Sequence, residues 1–457
     1  MQIIFNFSVS QTTRHAVWFF NPRGTLLPKM MCSLITKSAR RSQTAVVLSL
    51  VTIFAMPAVS QAQTAPVFSI GGIVQTTWQK SGAGDTPMRL NGGNASFVML
   101  GTMLLQARVN ERLIVFGEIQ TVRGFNLNLY ALSAVYRATS NEAVQIEAGK
   151  FLAPFGNFLP RRYASENPLI DYPLTYNYRT ALSPFQLPRT NAALLSARGK
   201  GHQLHYDNPT RALGKRSEVQ EIADHIPTSN WGLKVVSREV YLTGAQWFGA
   251  INRTVYYAIA VANGALSNPV DVNDGNGVQL SARLRVTPLT GFDAGVSFSS
   301  APYLNKSAVR EELKQAGKSA ERFRQSVLSA DLAFSRGQAV LFAEVLFNRW
   351  ATPFLSENLD LWGSYVEAKY TLKPRVFVAG RWSQLKFAGI ADAGDVDGDG
   401  RLSEAWDYDV SQVEIGLGYR VNRNAVIKAT YEFNRTREVP GGDPSDDIAA
   451  LQAVVFF

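Results

Sequence analysis

The sequence predicts an all-β fold, a transmembrane barrel of sixteen antiparallel strands with a long third loop folded inward. Three observations predict it. From Pro66 onward, hydrophobicity repeats every two residues over stretches of about ten residues, the pattern of a strand with lipid on one face and water on the other. The connections between these stretches alternate between short and long. The final stretch is an apolar strand ending on the aromatic Phe457, where a closed sheet would complete its seam.

The alternation is clearest late in the chain. Val413, Ile415, Leu417, Tyr419 and Val421 oppose Gln412, Glu414, Gly416, Gly418 and Arg420. Ile427, Ala429, Tyr431 and Phe433 oppose Lys428, Thr430, Glu432 and Asn434. Successive side chains of a strand point to opposite faces, so each stretch has one apolar and one polar side. The strands fall near 67–79, 96–108, 111–123, 127–138, 142–151, 238–249, 253–264, 277–287, 290–301, 324–335, 339–350, 359–371, 375–387, 409–421, 424–436 and 447–457. A hairpin within 193–206, if part of the wall, would raise the count to eighteen. Trp78, Trp247, Trp350, Trp362, Trp382 and Tyr419 lie near strand ends, where aromatic girdles sit. A soluble propeller or sandwich also has many short strands. It would neither alternate its turn lengths so regularly nor carry Glu, Arg and Lys on inner faces.

Composition agrees. Mean hydropathy is near zero, and no apolar run after residue 60 is long enough for a spanning helix of about 20 residues. The net charge of +10 owes much to residues 1–62, which hold six basic side chains and no acidic ones; without them 40 basic face 36 acidic residues, a net of +4. That balance argues against nucleic acid as a partner. Cys32, the sole cysteine, also lies in this leader, so no disulfide framework is expected beyond it. Lys37, Arg40 and Arg41 precede the apolar run Thr44–Met56, Pro57 and the small-residue site Ser60-Gln61-Ala62. These are the parts of a cleavable secretory signal, with cleavage expected after Ala62. The domain division is then 1–62, N-terminal extension and signal peptide, and 63–457, barrel. Export to the outer membrane of a Gram-negative cell follows, with membrane lipid and lipopolysaccharide as surroundings.

Sixteen strands enclose an aqueous lumen. Selectivity is set where such a lumen narrows. The narrowing segment is loop 152–237, whose first part, 152–190, is rich in Pro, Tyr and Arg. Arg161, Arg162, Tyr163, Arg179 and Arg189 on this loop, with Arg283 and Arg285 on the wall, are the candidate constriction and anion contacts, because guanidinium forks match phosphate and carboxylate. The competing reading is that these arginines pair with wall glutamates and anchor the loop. Residues 307–322 read as a short amphipathic helix in another long loop.

Asp395, Asp397 and Asp399 alternate before Gly400, with Ser403 and Glu404 following, in the manner of a calcium loop. Trp406 stands where an EF-hand would place its bidentate Glu, so the choice is between a looser external Ca²⁺ site and a solvated acidic tip. Asp271, Asn273 and Asp274 form a weaker echo. No cofactor is required by any other motif. His202, His205 and His225 share the long loop, and a zinc site there competes with plain surface histidines.

Gln145 through Gly156, then Arg161 to Pro168, Thr243–Gln246 and Val261–Gly264, resemble the phosphate-selective porin O and P family. The resemblance covers most of the chain after the leader. It implies a sixteen-stranded homotrimeric porin with an inward-folded third loop, passing small hydrophilic solutes and favouring anions such as phosphate or carboxylates. The alternatives are an outer-membrane barrel enzyme of the lipase or protease kind, and a non-conducting adhesin or structural barrel.

Overall fold

The computed structural model describes residues 66–82, 86–88, 96–122, 126–206, 231–270, 272 and 277–457. The leader with Cys32, and also His225, Asp271, Asn273 and Asp274, lie outside these residues.

Strands β1 (Val67–Ser81), β2 (Ser96–Arg108), β3 (Leu113–Val122), β4 (Asn126–Arg137), β5 (Gln145–Leu152), β6 (Tyr241–Ile251), β7 (Val255–Ala262), β8 (Gln279–Leu289) and β9 (Phe292–Pro302) form the first part of the wall. Strands β10 (Arg324–Arg336), β11 (Ala339–Trp350), β12 (Leu359–Lys373), β13 (Val376–Phe387), β16 (Val410–Asn422), β17 (Ala425–Thr436) and β18 (Ile448–Phe456) complete it. A two-stranded hairpin, β14 (Gly389–Ala391) and β15 (Ser403–Ala405), stands apart from the wall in the connection between β13 and β16. The sixteen wall strands pair antiparallel, each with its chain neighbour, and β1 pairs with β18 to close the barrel. All sixteen stretches expected from the alternation are strands. The ends differ by a few residues; β5 starts at Gln145 because Glu142, at φ 58°, sits in the turn that Val144 closes with Ala138.

The seam depends on its last residue. Phe457 and Gly72 exchange backbone hydrogen bonds at 3.0 Å in both directions. A Cβ on Gly72 would lie 2.5 Å from the Phe457 ring, so only glycine leaves the ring its seat.

The two faces separate as the periodicity demands. Val413, Ile415, Leu417, Tyr419, Ile427, Tyr431 and Phe433 are exposed on the outer surface. Glu118, Glu344, Glu367, Glu414, Lys428 and Glu432 are buried on the inner one. An outer face this apolar on a closed sheet is matched to hydrocarbon, because strand pairing runs all the way round the wall and leaves no free edge strand. Trp247, Trp362, Trp382 and Tyr419 are exposed on the outside, as a girdle requires. Trp350 corrects that expectation: it is fully buried and packs edge-on against Trp406, the residue after β15, 5.8 Å between centroids. It alternates with exposed Arg349 and so takes the inner face, under the loops.

Segment 152–206 and its return, 231–240, fill the lumen instead of lying over the rim. Phe155, Phe158, Leu159, Tyr176, Leu182 and Leu194 form a core inside the barrel with wall residues Leu346, Leu361 and Leu385. The loop reaches deep: Ala164 joins Ile73, Phe377, Val426 and Val454 near the short-turn rim. The stretch weighed as an extra wall hairpin is not one. Asn191–Leu195 is a short helix capped by the Thr190 hydroxyl, which accepts from Ala193 N at 3.1 Å, and it is buried in the lumen. The wall therefore has sixteen strands. The amphipathic helix expected within 307–322 spans Lys306–Gln315, burying Val309 and Leu313, with a 3₁₀ turn at Ala320–Arg322.

Candidate functional site

The lumenal loop is held by ions as much as by its core. Arg381 of β13 is fully buried, donating to Glu367 Oε2 at 3.1 Å, to the Asp171 carbonyl at 2.7 Å and to Glu414. Arg161 reaches the other oxygen of Glu367, donates to the Tyr365 hydroxyl at 3.2 Å, and stacks 3.8 Å from the Phe342 ring centroid. Lys428 is 1 % exposed, and its ammonium donates to the carbonyls of Ala164, Asn167 and Leu169, each at 3.0 Å. Its three donors replace water with three loop carbonyls, which fixes the loop's deepest turn. Glu344 accepts from the Tyr176 hydroxyl at 2.8 Å and from Asn157 N at 3.3 Å.

The other sequence-singled arginines are also engaged. Arg162 is buried against Glu118 at 3.3 Å and donates to the Leu159 carbonyl at 2.9 Å; Tyr163 donates to the same Glu118 at 2.6 Å. Arg283 grips Asp331 with two parallel bonds, 2.7 and 2.9 Å. Arg189 donates to Glu312 at 2.8 Å, and Arg285 lies 4.0 Å from Asp293. The structure thus spreads Arg161, Arg162, Arg189, Arg283 and Arg285 over several carboxylate pairs and does not gather them into one ring.

Arg179 differs. It bonds the Gly232 carbonyl at 3.1 Å and lies 4.1 Å from the Trp231 ring centroid, with no carboxylate in ion-pair reach among the described residues. Its backbone bridges to Lys234 on the returning strand of the loop. Lys234 also lacks a carboxylate partner among the described residues. Arg238 follows, 3.3 Å from Glu239 and stacked on Tyr172 at 5.2 Å. Arg179, Lys234 and Arg238 are all half-buried rather than sealed in the protein. Burial, and then the charges of Arg238 and Arg179, hold the Lys234 ammonium well below the ordinary lysine range. A crevice lined by Gln75, Thr102, Gln120, Tyr163, Arg238 and Glu239 runs between the loop and β1–β3. Sequence reading missed Lys234, at the tail of the segment marked as the constriction, and Arg238, which it had placed at the start of strand 238–249 although β6 begins only at Tyr241.

On the external side, Asp407 is buried and accepts from Ala181 N at 2.7 Å, Gly199 N at 2.8 Å and Tyr408 N at 2.9 Å. Burial pushes its carboxyl up to about 6, against which those three donors act. Arg198 of the lumenal loop binds Glu404 at 2.8 Å and Asp397 at 2.9 Å, and Arg401 takes Asp399 at 3.2 Å. Ser403 is exposed and pairs with Ala391 across the hairpin. His205 is exposed and His202 half-buried on the long loop.

No protein-family model matches this sequence, and no curated protein matches it. The fold, however, is shared with solved outer-membrane structures. An anion-selective porin from Comamonas acidovorans superimposes with a TM-score of 0.51 at 8% identity, over 86% of this chain and 99% of that one. OmpF of Salmonella typhi, in complex with daunomycin, gives 0.49 at 13% identity over 85% and 97% of the two chains. The outer-membrane channel DcaP of Acinetobacter baumannii gives 0.47 at 9% identity over 88% and 100%. At these identities the likeness to the Comamonas porin speaks to architecture alone: a closed, sixteen-stranded antiparallel barrel of the bacterial porin type.

Proposed function

We propose that this chain is an outer-membrane channel through which small hydrophilic solutes diffuse, with a preference for small anions such as phosphate or carboxylates. One observation carries the preference: among the described residues most arginines of the lumenal loop pair with a carboxylate, but Arg179 and Lys234 have none in ion-pair range, and both stay half-buried with Arg238 close by. When Lys234 is protonated, three cations face the two carboxylates, Asp171 and Glu239, that act on it. A one-charge excess in a narrow, poorly screened passage concentrates anions more than the same charge on an open surface. In this reading Arg161, Arg162, Tyr163 and Arg283 brace the constriction, and Arg179, Lys234 and Arg238 meet the solute. Arg189 and Arg285 lie at its margins. The apolar outer face supports residence in an outer membrane after removal of the leader, and a homotrimer is the assembly that the family resemblance implies; native mass measurement in detergent checks it.

The test is a planar-bilayer recording under a potassium chloride gradient. Discrete conductance steps with a reversal potential on the anion side are expected. A cation-side reversal potential would remove the anion preference. A protein that never conducts, or that hydrolyses esters or peptides when purified, would favour the adhesin or the enzyme.

A further inference from the structure

The hairpin β14–β15 carries a feature that pore function leaves unused. Asp392, Asp395 and Asp397 each present a carboxylate oxygen, all within 4.8 Å of one another. Asp392 is 1 % exposed, and its Oδ1 has no hydrogen-bond partner among the described residues; its other oxygen accepts from Val396 N at 2.9 Å. A buried carboxylate oxygen left unpaired is costly, and three carboxylates this close repel one another. Among the described residues, only Arg198 answers the group, and it reaches Asp397 alone, at 2.9 Å. Among the described residues, Asp392 and Asp395 have no cationic side chain in ion-pair range. A cation held by hard oxygen ligands would answer both the orphaned oxygen and the repulsion.

We propose that Asp392, Asp395 and Asp397 bind a divalent calcium ion. Ca²⁺ accepts six to eight oxygens in flexible geometry and suits carboxylates supplemented by water or carbonyls, whereas Mg²⁺ demands a near-ideal octahedron. The site shares only Asp397 with the second acidic group, Asp397, Asp399 and Glu404. In that group Arg401 already takes Asp399 at 3.2 Å and Arg198 takes Glu404 at 2.8 Å, so its charge is largely met. The ion would lock the hairpin tip while Arg198 ties the same tip to the lumenal loop, coupling the external mouth to the constriction. The inference does not depend on what the lumen conducts.

The experiment is calorimetric titration of the whole chain, refolded in detergent without lipopolysaccharide, with calcium chloride. Saturable binding in the range of about 0.1–1 mM is expected, as for external calcium modules. Magnesium should bind at least about tenfold more weakly. Asp392→Asn and Asp395→Ser should each weaken calcium binding by about tenfold or more, whereas Asp399→Asn should change it by less than about twofold. Heat-modifiable migration on gels confirms that each variant is folded. Terbium luminescence excited through the loop's Trp406 and Tyr408 gives a second readout on the wild-type chain. Absence of saturable calcium binding to the folded wild type overturns the proposal. So does an Asp399→Asn loss as large as that of Asp392→Asn, because it would place the ion on the other group.

Discussion

Arg381→Met is expected to lower the unfolding free energy by about 3–5 kcal/mol and to loosen the lumenal loop. The reason is what the guanidinium leaves behind. Glu367 and Glu414 are both fully buried and share Arg381, which also holds the Asp171 carbonyl at 2.7 Å. Methionine fills much of the volume but leaves two carboxylates without their common counter-ion. Arg161 stays on Glu367, so Glu414 bears most of the cost; it keeps only the backbone donors Ile170 N at 3.0 Å and Asp171 N at 3.1 Å. Denaturant titration of the refolded protein measures the loss. The companion variant Arg381→Met/Glu414→Gln should recover a good part of it, since the unpaired charge rather than the missing bond dominates. If the single variant is as stable as wild type, the ionic anchoring of the loop is wrong. Single-channel recordings of Arg381→Met should show noisier and larger openings, because the Asp171 carbonyl loses its guanidinium donor and the loop is left on the backbone bonds to an unpaired Glu414.

Lys234→Gln is the variant expected to change selectivity most. Where Lys234 is protonated, removing its unit charge about 4 Å from a passing anion changes that anion's energy by about 1 kcal/mol even in bulk-like water, roughly fivefold in the anion's permeability. Arg179→Gln should act in the same direction. Arg161→Ala and Arg162→Ala should chiefly destabilise the loop, because each exposes a buried glutamate partner, Glu367 and Glu118. The pH dependence has a definite sign. Lys234 is charged only below its depressed pKa, so anion preference should be greatest at low pH and decline as pH rises, earlier than an ordinary lysine would allow. Lys234→Arg keeps its charge throughout and should flatten that decline. Reversal potentials across a pH series measure both effects; a pH-independent wild type would exclude Lys234 from the conducting path.

The wall was legible because its signal is local. Period-two alternation, as in Val413 to Val421, needs no knowledge of distant residues, and it located every wall strand. The inward loop was also legible, from the Pro, Tyr and Arg content of 152–190. The partners within the lumen were not. Arg161 and Glu367 are 206 residues apart, and Arg198 and Glu404 also 206, and no local pattern connects them. Trp350 reads like any strand-end aromatic until Trp406 covers it. The cations without a carboxylate could be identified only once the paired ones were subtracted, which singles out Arg179 from the named arginines and adds Lys234. Asp392 stands three residues before the Asp395 run and was readable in principle. What the sequence lacked was its burial.

A cysteine placed at position 234 tests most directly whether the in-folded loop lines a water-filled path through a closed barrel. The chain's only native cysteine is Cys32, in the N-terminal segment proposed to be removed on export, so in a channel refolded from residue 63 onward the introduced thiol is alone. During a bilayer recording of the Lys234→Cys channel, a small water-soluble, negatively charged thiol reagent should react and reduce the anion current. The same reagent applied to Leu417→Cys, on the exposed outer face, should leave the current unchanged. A current that is unaffected at 234, or blocked equally from 417, would contradict the placement of this loop in the conducting lumen.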